Sequence, residues 1–136
     1  MRFGNTIGLA ADAAVGTISM NESDRITITI DGQQIETEAG RNLVTVAREN
    51  GIFIPSLCYF EDIEPPLGTC RVCTCKIDGV PGPACTESVR DGMVVQAQTD
   101  ELKDARAAIV EMMFSEGNHF CPSCQKSGDC DLQHMG

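Results

Sequence analysis

Strict alternation of apolar and polar residues starts at Arg25: Ile26, Ile28 and Ile30 fall on one side, Thr27 and Thr29 on the other, and the run closes at Asp31-Gly32. Successive side chains of an extended chain point to opposite faces, so this is a half-buried strand, and Asp-Gly supplies the positive φ angles of a type I′ hairpin turn. Residues 33–37 return as a second strand with Ile35 facing in. Asn42 then caps a short helix in which Leu43, Val46 and Ala47 share one face, and Gly51 stops it. Residues 52–55 lead into Cys58, and a loop over 59–69 containing Pro65, Pro66 and Gly68 reaches Cys70. A strand over 72–77 ends in the turn Asp78-Gly79, Pro81-Gly82-Pro83 forms a corner before Cys85, and a last strand covers 93–98.

Thr99 or Asp100 caps a second helix whose first turn holds Asp100 and Glu101, where the helix dipole favours negative charge. Leu102, Ala105, Ile109, Met112 and Met113 fall on one side of it at helical spacing, an apolar stripe that packs against the sheet or a partner. The helix closes near residues 116–118 and delivers His119. A hairpin, a crossing helix and further short strands predict an α+β fold, a small mixed sheet grasping one helix. Residues 1–24, rich in Gly, Ala and Ser and without a sustained period, are expected to be a flexible arm. The expected organisation is therefore this arm, a sheet domain over 25–98, and a helix with a cysteine-bearing segment over 99–136.

Charge narrows the partners. With 20 acidic against 10 basic residues the net charge is −10, which argues against nucleic acid and anionic membrane surfaces. No apolar stretch is long enough to span a bilayer. Eight cysteines in a chain of 136 residues suggest either disulfides or metal, and the weakly apolar N-terminal run, broken at Asp12, is a poor export signal. Metal-bound thiolates in a reducing cytoplasm are the better reading. With no Trp, one Tyr and five Phe, much of the stability is expected to come from bound metal or partner subunits.

Seven of the eight cysteines fall into two groups. The first is C-x11-C-x2-C-x11-C at Cys58, Cys70, Cys73 and Cys85; the second is H-x-C-x2-C-x5-C at His119, Cys121, Cys124 and Cys130. Thiolates are soft and anionic and hold iron-sulfur clusters across oxidation states, and a C-x2-C pair aims two sulfurs into one cavity. Plant-type 2Fe-2S ferredoxins use C-x4-C-x2-C with a distant fourth cysteine; here the first gap is longer. Gly68, Thr69 and Arg71 fit a tight loop whose backbone N–H groups point at sulfur. A structural zinc site is the alternative, although zinc sites usually show two short knuckles where this chain has one. Spacing alone leaves the second group open between a four-iron cluster and a Cys3His zinc knuckle, and leaves His119 open between ligand and helix-terminal residue. Cys75 is left over, a small core side chain or part of the lining of the first site. His134 is expected at the surface. No phosphate loop, nucleotide fingerprint or Ser/His/Asp set is present.

The motifs I-P-S-L-C-Y at 54–59, L-G-T-C-R-V-C at 67–73, A-C-T at 84–86 and E-G-N-H-F-C-P-S-C-Q-K-S-G-D-C-D-L-Q at 116–133 resemble the N-terminal part of the iron-sulfur subunit shared by respiratory complex I, iron-only hydrogenases and NAD-linked hydrogenases. The resemblance implies a β-grasp 2Fe-2S domain with Cys58, Cys70, Cys73 and Cys85 as ligands, followed by a helical 4Fe-4S segment with His119, Cys121, Cys124 and Cys130. Complex I and iron-only hydrogenases usually start the second motif as H-x3-C. The shorter H-x-C here is similar to the diaphorase small subunit of soluble NAD-reducing nickel-iron hydrogenases. That subfamily implies electron relay between a flavin- and NAD-binding subunit and a hydrogenase module. The other readings are the equivalent subunit of a complex I or NAD-dependent formate dehydrogenase module and, in a different class, a zinc-stabilised interaction module. The family's subunit usually continues into further cluster motifs beyond the point where this sequence stops.

Overall fold

A computed structural model describes residues 25–135; the expected arm over 1–24 lies outside them. Five strands form one mixed sheet: β1 (Arg25–Ile30), β2 (Gln33–Glu38), β3 (Thr74–Ile77), β4 (Val80–Pro83) and β5 (Val94–Gln96), in the order β2-β1-β5-β3-β4. β1 and β5 are parallel at the centre, and the other neighbours are antiparallel. The helices are α1 (Leu43–Glu49), α2 (Asp100–Glu116) and α3 (Asp131–Met135). This is the α+β, ferredoxin-like arrangement expected.

The local chemistry accounts for most of it. Ile28, Ile30 and Ile35 are buried on one face of the β1–β2 hairpin. Asp31 and Gly32 both take positive φ, 48° and 84°, and Asp78 and Gly79 repeat the pair at 50° and 84°, the signature of type I′ turns. Asp31 also fastens the end of β5 to the first hairpin, its Oδ1 accepting from the N–H of Ala97 at 2.7 Å. In α1, Asn42 caps by accepting from Val44 N–H at 2.9 Å, and Leu43, Val44, Val46 and Ala47 are buried against the sheet. Gly51 leaves the helix at φ 74°. In α2 the capping residue is Thr99, accepting from Leu102 N–H.

Three expectations are corrected. The Pro81-Gly82-Pro83 stretch is an edge strand, not a corner; Pro81 lies opposite Lys76 and Pro83 opposite Thr74, and an edge tolerates residues with no N–H because one side needs no ladder partner. The final strand is shorter than 93–98, pairing only over Val94–Gln96. The buried side of α2 consists of Leu102, Arg106 and Val110, not Leu102, Ala105, Ile109, Met112 and Met113. Ala105 is exposed, Met112 is 62% exposed, and Ile109 and Met113 are only partly covered. The i, i+4, i+8 stripe was hidden because its middle member is an arginine.

Candidate iron-sulfur sites

The first cysteine group closes around the open end of the sheet. Cys58 is buried at the end of the segment leaving α1, and the loop after it is tied back to that helix by Tyr59 Oη against Thr45 Oγ1 at 2.6 Å and by the Arg48–Glu61 ion pair at 2.8 Å. The chain then turns sharply into the C-x2-C. Gly68 has φ 62°, and a Cβ there would lie 2.7 Å from Thr86 Cγ2, so the loop passes the segment that carries Cys85 at a distance only glycine allows. Arg71 also takes a positive φ of 62°. Cys73, with no exposure, enters β3, and its carbonyl accepts from Ala84 N–H at 3.2 Å. A 3-10 turn over Ala84–Thr86 presents Cys85, also fully buried.

Asn42 joins two parts of this site. While its Oδ1 caps α1, its Nδ2 donates to the Cys85 carbonyl at 2.7 Å. Leu43 N–H reaches the Glu87 carbonyl at 2.9 Å, so the start of α1 and the Cys85 turn form one unit.

Cys58 and Cys85 are shifted in opposite directions. Burial raises the Cys58 thiol, but N–H donation from Cys70, 3.4 Å from its sulfur, and hydrogen bonds from Thr69 outweigh that and bring it down to about 7. Cys85 is pushed up to about 12, by burial first and then by Cys73, Cys58 and Cys70. Burial beside other thiols thus disfavours a lone thiolate at Cys85. Among the described residues no three His, Cys, Asp or Glu side chains converge on a position for a single ion. The fit rests on the four-thiol donor set and on loop N–H groups directed at sulfur.

Cys75, the unassigned thiol, is fully buried in the core. Burial pushes it up to about 11, partly offset by Arg106. It points at the Cys73 carbonyl, 3.5 Å away, and behaves as a neutral core side chain.

The second group is built on turns. Past Gly117 the chain doubles back so that His119 Nε2 lies 3.0 Å from the Met113 carbonyl and its ring packs edge-on to Phe114, centroids 5.4 Å apart. A Cβ on Gly117 would collide with His119 Nε2; glycine makes room for the ring. A 3-10 turn over Cys121–Ser123 contains Pro122, Gly128 takes φ 90°, and Cys130 precedes α3. His119, Cys121, Cys124 and Cys130 all line one cavity of about 340 Å³. The structure thus brings the four predicted residues to one place. Cys124 is exposed and Cys121 and Cys130 half-buried, and His119 sits against the Met113 carbonyl at the end of α2, the alternative considered for it. His134 is exposed, as expected.

Residues 23–100 match the family described as the 2Fe-2S iron-sulfur cluster binding domain. The chain belongs to that family. Residues 106–136 match the NADH-ubiquinone oxidoreductase-G iron-sulfur binding region, so a 2Fe-2S domain is followed by a 4Fe-4S-binding region and the zinc alternative is set aside. Among relatives, the gamma chain of the NAD-reducing hydrogenase HoxS of Cupriavidus necator is 56% identical over 111 residues, covering 82% of this chain and 47% of that protein. The mitochondrial NADH-ubiquinone oxidoreductase 78 kDa subunit of Neurospora crassa is 34% identical over 110 residues, covering 79% of this chain and 15% of that one. A chain in the crystal structure of an NAD+-reducing [NiFe]-hydrogenase in the H2-reduced state superposes with a TM-score of 0.75 at 36% identity, covering 79% of this chain and 46% of that one. The chain thus spans about half the length of the hydrogenase relatives and a much smaller part of the mitochondrial one. Asn42's double role and buried Arg106 were missed from sequence; Arg106 carries a detectable signal, its position midway between Leu102 and Val110.

Proposed function

We propose that the chain is an electron-transfer subunit that relays electrons between a flavin- and NAD-binding diaphorase subunit and a nickel-iron hydrogenase module. The observation that carries this is the pairing of two cysteine groups in one chain, a four-cysteine group with three buried members and a His/Cys3 cavity, joined by α2. Iron-sulfur clusters, when bound, take up and give up single electrons without making or breaking bonds to substrate. Cys58, Cys70, Cys73 and Cys85 hold the 2Fe-2S cluster; His119, Cys121, Cys124 and Cys130 hold the 4Fe-4S cluster. In the second site His119 leaves the Met113 carbonyl to serve as ligand. The role is that of a non-catalytic subunit within an oxidoreductase complex.

The cluster loop supports a partner beside the first site: Phe60, Ile63 and Leu67 are 55%, 43% and 55% exposed, interleaved with Glu61, Asp62 and Glu64, which suits a basic-rimmed apolar face. None of the eight cysteines is paired, which supports a reducing cytoplasm. No described helix is long and apolar enough to cross a membrane.

Iron and acid-labile sulfide analysis of anaerobically purified protein tests the reading. Both clusters are expected; stoichiometric zinc without sulfide overturns it. Co-purification of the native complex without a nickel-iron subunit moves the assignment to a complex I or NAD-dependent formate dehydrogenase module. His119→Ala is expected to change the EPR signal or potential of the four-iron cluster and spare the two-iron signal; no change removes His119 from the ligand set.

A further inference from the structure

Arg106 is a buried charge without an evident counter-ion. Only 8% exposed, it reaches from the middle of α2 to β3, where Nη2 donates to the Thr74 carbonyl at 2.8 Å and lies 3.7 Å from Cys75 Sγ. Its Nε is buried without a partner. Among the described residues no carboxylate lies within ion-pair distance of it. Asp31, the acid whose charge is felt at Cys75, is taken up by the N–H groups of Ala97 and Gln98. An uncompensated guanidinium is costly to bury, so chains keep one only where an anion or a full set of acceptors answers it.

The strand that Arg106 grips begins directly after Cys73. Thr74 sends both its N–H, at 3.1 Å, and its hydroxyl, at 2.6 Å, to the Arg71 carbonyl inside the C-x2-C, so the peptide held by Arg106 is continuous with the cluster loop. The Lys76–Glu101 ion pair clamps the same helix to the same strand one turn away. Apolar Leu102 and Val110 flank Arg106 on the buried side and already pack the helix there. A methionine would fill the position for packing alone. What an arginine adds is positive charge in a poorly screened place behind Cys73.

We propose that Arg106 is a positioning residue for the two-iron site, a buried positive charge that holds β3 behind Cys73 and favours the reduced state of the cluster bound there. This rests on assigning Cys58, Cys70, Cys73 and Cys85 to that cluster. Four thiolates around a two-iron core make an anion, and one electron from a low-potential reductant adds a further negative charge as ferric iron becomes ferrous, with no proton taken up and no bond changed. A fixed cation on the strand that follows Cys73 stabilises the more negative state.

The test is an EPR-monitored redox titration of the holoprotein carrying Arg106→Met, Arg106→Gln or Arg106→Lys. Met and Gln are expected to give about tenfold fewer reduced two-iron clusters at a fixed ambient potential, about 59 mV for one electron, with the four-iron cluster unmoved. Lys, which keeps the charge but not the planar fork, is expected to restore most of the native value. A native potential in Met or Gln overturns the proposal, as does a Lys variant shifted as far as Met, since the effect would then follow shape. If only native and Lys proteins assemble the two-iron cluster, the need for charge is upheld; if Lys fails with the others, the role is structural and the proposal falls. Absence of a two-iron signal from the native protein would instead defeat the ligand assignment.

Discussion

Cys73 and Cys85 have no solvent exposure and hang from a five-stranded sheet, whereas Cys124 is exposed on a succession of turns and none of residues 117–135 is buried. Cysteines are thus supported in two ways. Around the first group the sheet, α1 and the Asn42 clamp hold the backbone, and Cys73 and Cys85 are themselves core residues, belonging to the buried cluster of Ile28, Leu43 and Val95. Around the second, the backbone bonds are short-range, such as Cys124 N–H to the Cys121 carbonyl and Ser127 N–H to the Cys124 carbonyl. Such turns hold a shape only weakly without ligation. The first group is embedded in the core, and the second lies outside it.

The sharpest way to break that contrast is to remove one thiol from each side. Cys73→Ser is expected to abolish the two-iron EPR signal altogether and to lower the unfolding midpoint, since it puts a hydroxyl in a fully buried place. Cys124→Ser is expected to abolish the four-iron signal, to leave the two-iron signal intact and to leave the midpoint of the sheet unmoved. Loss of both signals in Cys124→Ser would show that the second segment supports the first.

Next in size are cavity substitutions. Ile28→Ala empties a fully buried position and is expected to cost about 2–5 kcal/mol in urea unfolding followed by circular dichroism. Leu132→Ala, at a half-buried position beside the second cavity, is expected to cost less than about 1 kcal/mol. Comparable losses would mean that the second segment is as well packed as the first.

Glycines with positive φ give the finer comparison. Gly68→Ala faces both the left-handed φ and a contact of 2.7 Å to Thr86; the dihedral alone costs about 1–2 kcal/mol, and the clash disturbs the two-iron loop, seen as a broadened EPR signal. Gly128→Ala, at φ 90° with nothing within 4 Å of the added Cβ, is expected to show only the backbone penalty of about 1 kcal/mol and an unaltered two-iron signal.

The contrast also explains what was legible in the sequence. The Ile26, Ile28 and Ile30 alternation, the two Asp-Gly turns and the caps Asn42 and Thr99 are local signals, and each produced the element it predicted. Both cysteine groups were legible from spacing and motif, and the members of the second line one cavity. The misreadings are of another kind. Pro81 and Pro83 suggest a corner until it is known that β4 lies at an edge, which depends on the order of the whole sheet. Arg106 interrupts the apolar stripe of α2, so the more continuous run through Ile109 and Met112 looked like the buried side. Asn42 was legible as a cap because that bond reaches two residues along the chain; its other bond, to Cys85, spans 43 and leaves no pattern in the sequence.

The smallest effect expected concerns acid. Asp78 closes the β3–β4 turn and reaches β5: Val94 N–H donates to its Oδ1 at 2.9 Å, and Arg90 pairs with Oδ2. The Val94 bond first, and Arg90 with it, outweigh burial and hold its carboxyl below the ordinary value of 3.8. A carboxylate favoured in the folded state contributes stability that is present above the unfolded value and is lost as pH falls through the folded one. Melting temperatures are therefore expected to drop on going from about pH 5 to about pH 3, and Asp78→Asn, whose amide oxygen still accepts from Val94, is expected to drop less across that window. Asp129 in the second segment has only an exposed i, i+3 pair with Lys126 at 3.6 Å, a kind of contact that contributes little. Replacing Asp129 by Asn should leave the melting temperature where it was, because an exposed pair on a turn has no distant strand to hold, whereas Asp78 fastens one hairpin to its neighbour.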